Sequence, residues 1–328
     1  MNHRQTRFAV VVFAAFAFCA RTATAQRADL PAYVPTATVS GVVRVWGSPQ
    51  MGDLLHEYEK GFFEVQPSVR FEEHLKSTIT AVAGVYTDRA DVGLLGRGIW
   101  PSETQAFESV LGRPPHVIEI ATGSFDVPKA TFALMVFVAR GNPITALSME
   151  QLARIFGNGP GSVRVWRDLG LTGAWAERPV HLYGFATDND KSQIFSQLVF
   201  KGRQRWSAQL KEFSNEGETD AGEKIVRAIA TDQSAIGISN VHYATADVKA
   251  LPLSARTGSP AVAPTRETVA AHAYPLTRSV YMVVDRPDAA TLEFLRFVLS
   301  RQGAEAVSRE GNYLPLRKLN ADAEGYVQ

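Results

Sequence analysis

The chain has 328 residues, 45% of them hydrophobic and 20% charged, an ordinary globular composition that excludes a disordered, collagen-like or coiled-coil protein. Its 34 basic and 33 acidic residues leave a net charge of +1, so no global basic field points to nucleic acid, and an anionic partner has to be caught by a local site. The single cysteine, Cys19, can make neither an internal disulfide nor a Cys-rich zinc site.

Arg4 and Arg7 open the chain, an apolar run of 13 residues follows from Phe8 to Ala20, and Ala23-Thr24-Ala25 offers small residues to a signal peptidase. Residues 1–25 are therefore predicted to be a cleavable secretory signal. The run falls short of the roughly 20 residues that cross a bilayer; an uncleaved anchor, or lipid attachment at Cys19 behind the bulky Phe18, are the alternatives. Cleavage removes Arg4, Arg7 and Arg21 and no acid, leaving 31 basic against 33 acidic residues and no cysteine. With no later apolar run of 18 residues, the expectation is a soluble exported protein, periplasmic where the cell has two membranes.

Residues 26–40, with Pro31 and Pro35, read as an unstructured lead-in. Val42–Trp46 is β-rich, Gly47-Ser48-Pro49 breaks it, and Met51, Leu54, Leu55, Tyr58, Phe62 and Phe63 recur at helical spacing. Ser48 is the expected N-cap, with Pro49 at the first helical position. Val69–Leu75 alternates, Ser77-Thr78 breaks, and Ile79, Val82, Ala83 and Tyr86 form a helical stripe before a short buried strand at Ala90–Leu95. An apolar strand at Ala133–Ala139 precedes a helix at Met149–Phe156 and a Gly- and Trp-rich loop to Glu177. His181–Phe185 restarts the rhythm, followed by a helix carrying Ile194, Phe195, Leu198 and Val199, a helix over 220–231, strands at Ala235–Ser239 and Val280–Val284, and one long helix over Ala289–Val307. Repeated βαβ units predict an α/β fold with mostly parallel sheets flanked by helices. Two such blocks can bind a ligand where strand C-termini face a crevice.

Three breaks join a strand to a helix through small hydroxyl residues: Gly47-Ser48, Lys76-Ser77-Thr78 and Thr187-Asp188-Asn189-Asp190-Lys191-Ser192. Free N–H groups at helix starts, with Ser and Thr hydroxyls, suit an oxyanion if the three converge, whereas each alone reads as plain capping. Arg97, after the strand ending at Leu95, either grips an oxyanion in bidentate fashion or forms a surface ion pair. The seven histidines show no short ligand pairing, and neither a Gly-x-Ser-x-Gly elbow nor a phosphate loop is present. No catalytic residue, metal or cofactor is expected.

At these residues the sequence resembles the phosphate-binding proteins of bacterial ABC transporters, the PstS-like group of periplasmic binding proteins. The resemblance spans 42–318 and includes Gly47-Ser48, Ser77-Thr78, Ala90-Asp91-Val92-Gly93 with Gly96-Arg97, and Trp166-Arg167-Asp168-Leu169-Gly170. It continues through Ala235-Ile236-Gly237-Ile238, Tyr274-Pro275-Leu276-Thr277-Arg278 and Gly311-Asn312-Tyr313-Leu314-Pro315-Leu316. It implies a two-lobed fold with the ligand cleft between the lobes: lobe 1 from 41–125 plus 285–328, lobe 2 from 126–284, and hinges near 125–130 and 274–280. It further implies a monomer that captures inorganic phosphate or a similar oxyanion for an ABC transporter permease in the inner membrane. Ser48, Ser77, Thr78 and Arg97 would be the first lobe's anion contacts, with Thr187, Asn189 and Ser192 the second lobe's.

The sequence departs from the family pattern at two places. Where the second lobe of such proteins carries Arg and then Ser-Gly-Thr, this chain has Phe185-Ala186-Thr187-Asp188-Asn189-Asp190-Lys191-Ser192. The residue before Arg97 is Gly96, where Ser or a proton-accepting Asp is frequent. Asp188 or Asp190 could supply that acceptor, although two carboxylates facing a dianion would repel it. An exported protein of the same fold, diverged to another ligand or a sensing role without transport, is the alternative reading.

Overall fold

The computed structural model describes residues 30–327; the signal segment 1–25 expected from the sequence lies outside them. The elements are, in chain order, β1 (Gly41–Gly47), α1 (Gly52–Phe63), β2 (Val69–His74), α2 (Thr78–Tyr86), β3 (Val92–Leu95), α3 (Pro101–Leu111) and β4 (His116–Thr122). These are followed by β5 (Met135–Ala139), β6 (Leu147–Ser148), α4 (Met149–Phe156), β7 (His181–Phe185), α5 (Asp190–Phe195), β8 (Leu210–Phe213), α6 (Ala221–Thr231) and β9 (Ala235–Ser239). The last are β10 (Val248–Ala250), β11 (Leu253–Ser254), α7 (Arg266–Ala270), β12 (Ser279–Val284), α8 (Ala289–Val298), α9 (Arg301–Glu310) and α10 (Ala321–Val327).

Two five-stranded sheets carry the fold, in the orders β2-β1-β3-β12-β4 and β10-β5-β9-β7-β8. Four strands of each sheet run one way; β12 is antiparallel to both neighbours in the first and β5 to both in the second. Each reversed strand directly follows a passage of the chain from one lobe to the other. The two passages, residues 123–134 and 274–278, are bonded to one another: Gly123 N–H donates to the Arg278 carbonyl (2.7 Å) and Leu134 N–H to that of Leu276 (3.1 Å). Thr122 and Leu314 exchange both backbone bonds beside them, so the C-terminal segment also ties into the crossing.

Three expectations from sequence are corrected here. The strand 279–284, expected in the second lobe, is the one that joins β3 to β4 in the first, so the chain returns there at Ser279. The long helix expected over 289–307 is two helices. Ser300 leaves the helical conformation (ψ 176°) and its hydroxyl caps α9 by accepting from Gly303 N–H, while Arg301 N–H turns aside to the Pro31 carbonyl (2.8 Å). Residues 30–40 are irregular but docked: Leu30, Tyr33 and Val39 are buried. Tyr33 reaches an aromatic cluster with Phe62 and Phe297, and its hydroxyl donates to the buried Glu293 carboxylate (2.7 Å). Burial pushes that carboxyl up, but hydrogen bonds from Thr36, Tyr33 and Arg296 outweigh it and hold it below the ordinary glutamate range.

The first-lobe core fills the space between α1, α8, α9 and the sheet, with Tyr58, Phe62, Phe294 and Phe297 fully enclosed; the second-lobe core centres on Met135–Val138, Phe156, Trp166 and Phe195. One residue links this scaffold to the cleft. Gly47 ends β1 at φ +149°, and a Cβ there would stand 2.3 Å from the Leu94 carbonyl oxygen and 2.8 Å from its nitrogen, so only glycine allows β1 and β3 to approach this closely. Gly47→Ala is expected to destabilise the protein by at least about 2 kcal/mol in chemical denaturation, because it combines a strained backbone with a backbone clash.

Candidate functional site

Strands β1 and β3 run parallel and end side by side, with Ser48 N–H donating to the Leu94 carbonyl (3.1 Å). The residues that follow each strand therefore emerge together, at the edge where α2 also begins. A cavity of about 340 Å³ opens there, lined by Ser48, Gln50, Lys76, Ser77, Thr78, Gly96, Arg97 and Trp100 of the first lobe and Asp190 of the second.

The hydroxyls take different roles. Ser48 precedes a short 3-10 turn at Pro49–Met51, yet its side chain makes no cap bond, contrary to the N-cap expected from sequence, and it is 2% exposed. Ser77 does cap α2, accepting from Ile79 N–H at 3.3 Å. Gly96 shows how far the side chains converge: a Cβ built on it would lie 3.2 Å from Thr131 Oγ1, 3.4 Å from Ser48 Oγ and 3.8 Å from Thr78 Oγ1. The absence of a side chain at 96 is what lets hydroxyls from three segments meet. Thr131, which no sequence pattern singled out, comes from the first crossing and donates to the Gly96 carbonyl (2.5 Å).

Arg97 forms an ion pair, the alternative weighed from sequence, but a buried one rather than a surface one: its side chain is 5% exposed. Its Nη1 and Nη2 donate to Glu103 Oε2 and Oε1 at 2.8 and 2.7 Å, and its guanidinium lies 3.6 Å from the centroid of the Trp100 ring. Glu103 also accepts from Trp100 N–H (2.9 Å), so one carboxylate starts α3 and aligns the arginine. Nη1 also donates to the Gly98 carbonyl (3.0 Å), so the two-pronged grip that the sequence suggested for an oxyanion is made on Glu103 instead.

The second-lobe residues expected at the site are placed differently. Thr187 is turned to Glu212 on β8, donating from both its N–H (3.0 Å) and its hydroxyl (3.2 Å). Asn189 caps α5 by accepting from Lys191 N–H, and the buried Ser192 hydroxyl donates to the Phe185 carbonyl (3.0 Å), fastening α5 to β7. None of the three lines the cavity; Asp190 does. Burial opposes ionisation of Asp190, but Lys191 (3.1 Å) and Arg278 outweigh it and hold its carboxyl below the ordinary aspartate range. Arg278, at the end of the second crossing, has a side chain 4% exposed, with Nη2 3.6 Å from Asp190 Oδ2 and a buried Nε without a partner. The string Tyr274–Arg278 carried the resemblance in the sequence, but nothing in its pattern marked the arginine as buried beside a cleft.

A family model described as a PBP superfamily domain matches residues 33–302. The phosphate-binding protein PstS of Pseudomonas aeruginosa is 30% identical over 298 residues, 88% of this chain and 87% of that protein. The chain belongs to the PstS-like group of the PBP superfamily. Its fold matches PstS from Borrelia burgdorferi with a TM-score of 0.59 at 16% identity, covering 84% of this chain and 99% of that one. It matches an ABC-type phosphate transport receptor from Vibrio cholerae with a TM-score of 0.56 at 17% identity, covering 83% and 99%. At these identities the two structures speak for the fold alone. The PstS-like group is one of ligand-binding proteins rather than a class of enzymes.

Away from the cleft, α1 and β2 bring His56, Glu59 and Glu73 within 4.8 Å of one another, a grouping of metal-ligating types that short-range spacing could not reveal. Burial, with Glu73 adding to it and His56 opposing, pushes the Glu59 carboxyl up to about 7, and its Oε1 is enclosed without a partner. A carboxyl whose pKa is raised on folding favours the folded state below its unfolded pKa and loses that advantage as pH rises through the folded value. Glu59→Gln is therefore expected to stabilise the protein at pH 8 by about 1 kcal/mol, discounted for partial exposure, with the gain vanishing by pH 4 in thermal melts.

Proposed function

We propose that this protein is an exported solute receptor that captures an oxyanion, phosphate, in the cleft between its lobes and delivers it to an ABC permease in the inner membrane. The observation that carries the reading is the single cavity lined by Ser48, Ser77, Thr78 and Arg97, with Asp190 facing them from the other lobe. Hydroxyls and a buried guanidinium replace the water of a multiply charged oxyanion with directed donors, and a site of this kind needs no net positive charge on the protein as a whole. The similarity to a phosphate-binding protein over 88% of the chain supports phosphate as the ligand.

The mechanism requires no covalent step. An anion that contacts both lobes binds the closed arrangement better than the open one and shifts the population toward it. The paired crossings at 123–134 and 274–278 are the segments about which the lobes would turn. The N-terminal signal expected from the sequence suits a periplasmic receptor, which would act as a monomer and dock to its permease once loaded.

Asp190 favours a second reading. A carboxylate in the cleft, in place of a Ser-Gly-Thr loop, suits a ligand with a cationic group. Calorimetric titration of the ligand-stripped mature protein with phosphate and then sulfate decides between the two. Tight phosphate binding is expected, and silence toward both anions in a folded sample would overturn the phosphate reading. In the same titration Arg97→Ala should weaken phosphate binding by more than about 1.5 kcal/mol, the lower range for a charged hydrogen bond.

A further inference from the structure

The guanidinium of Arg278 has no role in anion capture by the first lobe's groups. An arginine carries five N–H donors and keeps its charge under all relevant conditions. Here the side chain that bears this cation is only 4% exposed, with Nε unpartnered and one carboxylate oxygen at 3.6 Å, beyond hydrogen-bond distance. Burying such a group is unfavourable unless an anion completes it.

Asp190 stands between that cation and the cavity. It lines the cavity, whereas Arg278 does not, and its two oxygens are divided: Oδ2 faces Arg278 of the second crossing, and Oδ1 lies 3.1 Å from Lys191 Nζ on its own helix. An oxyanion among Ser48, Thr78 and Arg97 would share the cleft with this carboxylate. Two like charges within a few ångströms repel, more strongly in a partly buried cleft than in water. Lys191 offers Asp190 a partner to keep when it gives up Arg278.

We propose that Asp190 is an internal counter-ion, holding Arg278 in the empty cleft and yielding it to the incoming oxyanion, which then lies between Arg97 and Arg278. The proposal rests on the oxyanion reading of the cleft. It assigns Arg278 as a binding residue and Asp190 as a competitor of the ligand, opposite to a carboxylate that accepts the proton of hydrogen phosphate.

The test is calorimetric titration of the wild-type mature protein, Asp190→Asn and Arg278→Lys with phosphate and with sulfate at pH 8, each variant checked for folding by circular dichroism. Removing a competing carboxylate should tighten both anions by about tenfold, the scale of one charged hydrogen bond. Arg278→Lys should weaken both, because a point charge cannot replace the fork. If Asp190→Asn weakens phosphate while leaving sulfate unchanged, Asp190 is a proton acceptor and the proposal is overturned; loss or constancy of both affinities overturns it equally. Should the wild-type protein bind neither anion, the phosphate reading falls, and Asp190→Asn then decides alone: binding gained supports the counter-ion, continued silence rejects it. If Arg278→Lys does not fold, Asp190→Asn, which removes only a half-exposed charge, still separates a competitor from a proton acceptor.

Discussion

Two guanidinium groups held almost out of water at the meeting of the lobes set the terms for the rest of this structure. Removing an arginine from solvent costs several kcal/mol unless carboxylates or other acceptors surround it, and the two are served very differently. Arg97 has a complete partner in Glu103, fixed in turn by the start of α3, with Trp100 covering its face. Among the described residues Arg278 has the edge of Asp190 alone as an ionic partner. The first is fully held by its own lobe, and the second is a buried cation with a distant carboxylate and an unpartnered Nε. Both cations are thus concentrated near the cleft on a protein whose overall charge is close to zero.

Two glycines, one before Ser48 in sequence and one beside it in space, make that placement possible. Gly47 allows two parallel strands to end in contact, and Gly96 leaves the space into which Ser48, Thr78 and Thr131 point. A side chain at either position would separate groups that only work together. The site is therefore specified as much by where atoms are missing as by which polar residues are present.

The fold class was legible from local pattern, and so were the residues of the first lobe that come to line one cavity. Alternation and helical spacing mark β1, α1, β2 and α2, and hydroxyl residues at strand ends lie where parallel sheets open a crevice. Other features depend on contacts distant in sequence. Nothing local distinguishes a strand that stays in the second lobe from one that returns to the first, and the boundary drawn with the resemblance left β12 in the second. Thr187, Asn189 and Ser192 look like anion donors, yet each is taken by a neighbour that the fold supplies: Glu212, the α5 backbone and Phe185. Arg278 and Thr131 lie on crossings, where neither period applies and burial cannot be read from spacing. The helix break at Ser300 needs the Pro31 carbonyl to draw Arg301 aside, a partner about 270 residues away by the count of positions.

The position of β12 also bears on the order in which the molecule can assemble. Residues 135–254 contain every strand of the second sheet in one uninterrupted stretch, so that lobe can complete its hydrogen-bonded core from its own sequence. The first lobe cannot. Within its sheet β4 is joined to β3 only through β12, a strand that emerges more than 150 residues later. Until that strand inserts, β4 has no partner and β3 keeps an open edge. Long-range closure of this kind is slow and leaves strand edges exposed to wrong pairing. The sheet of the lobe that carries Ser48, Thr78 and Arg97 is thus complete only once the chain has crossed back.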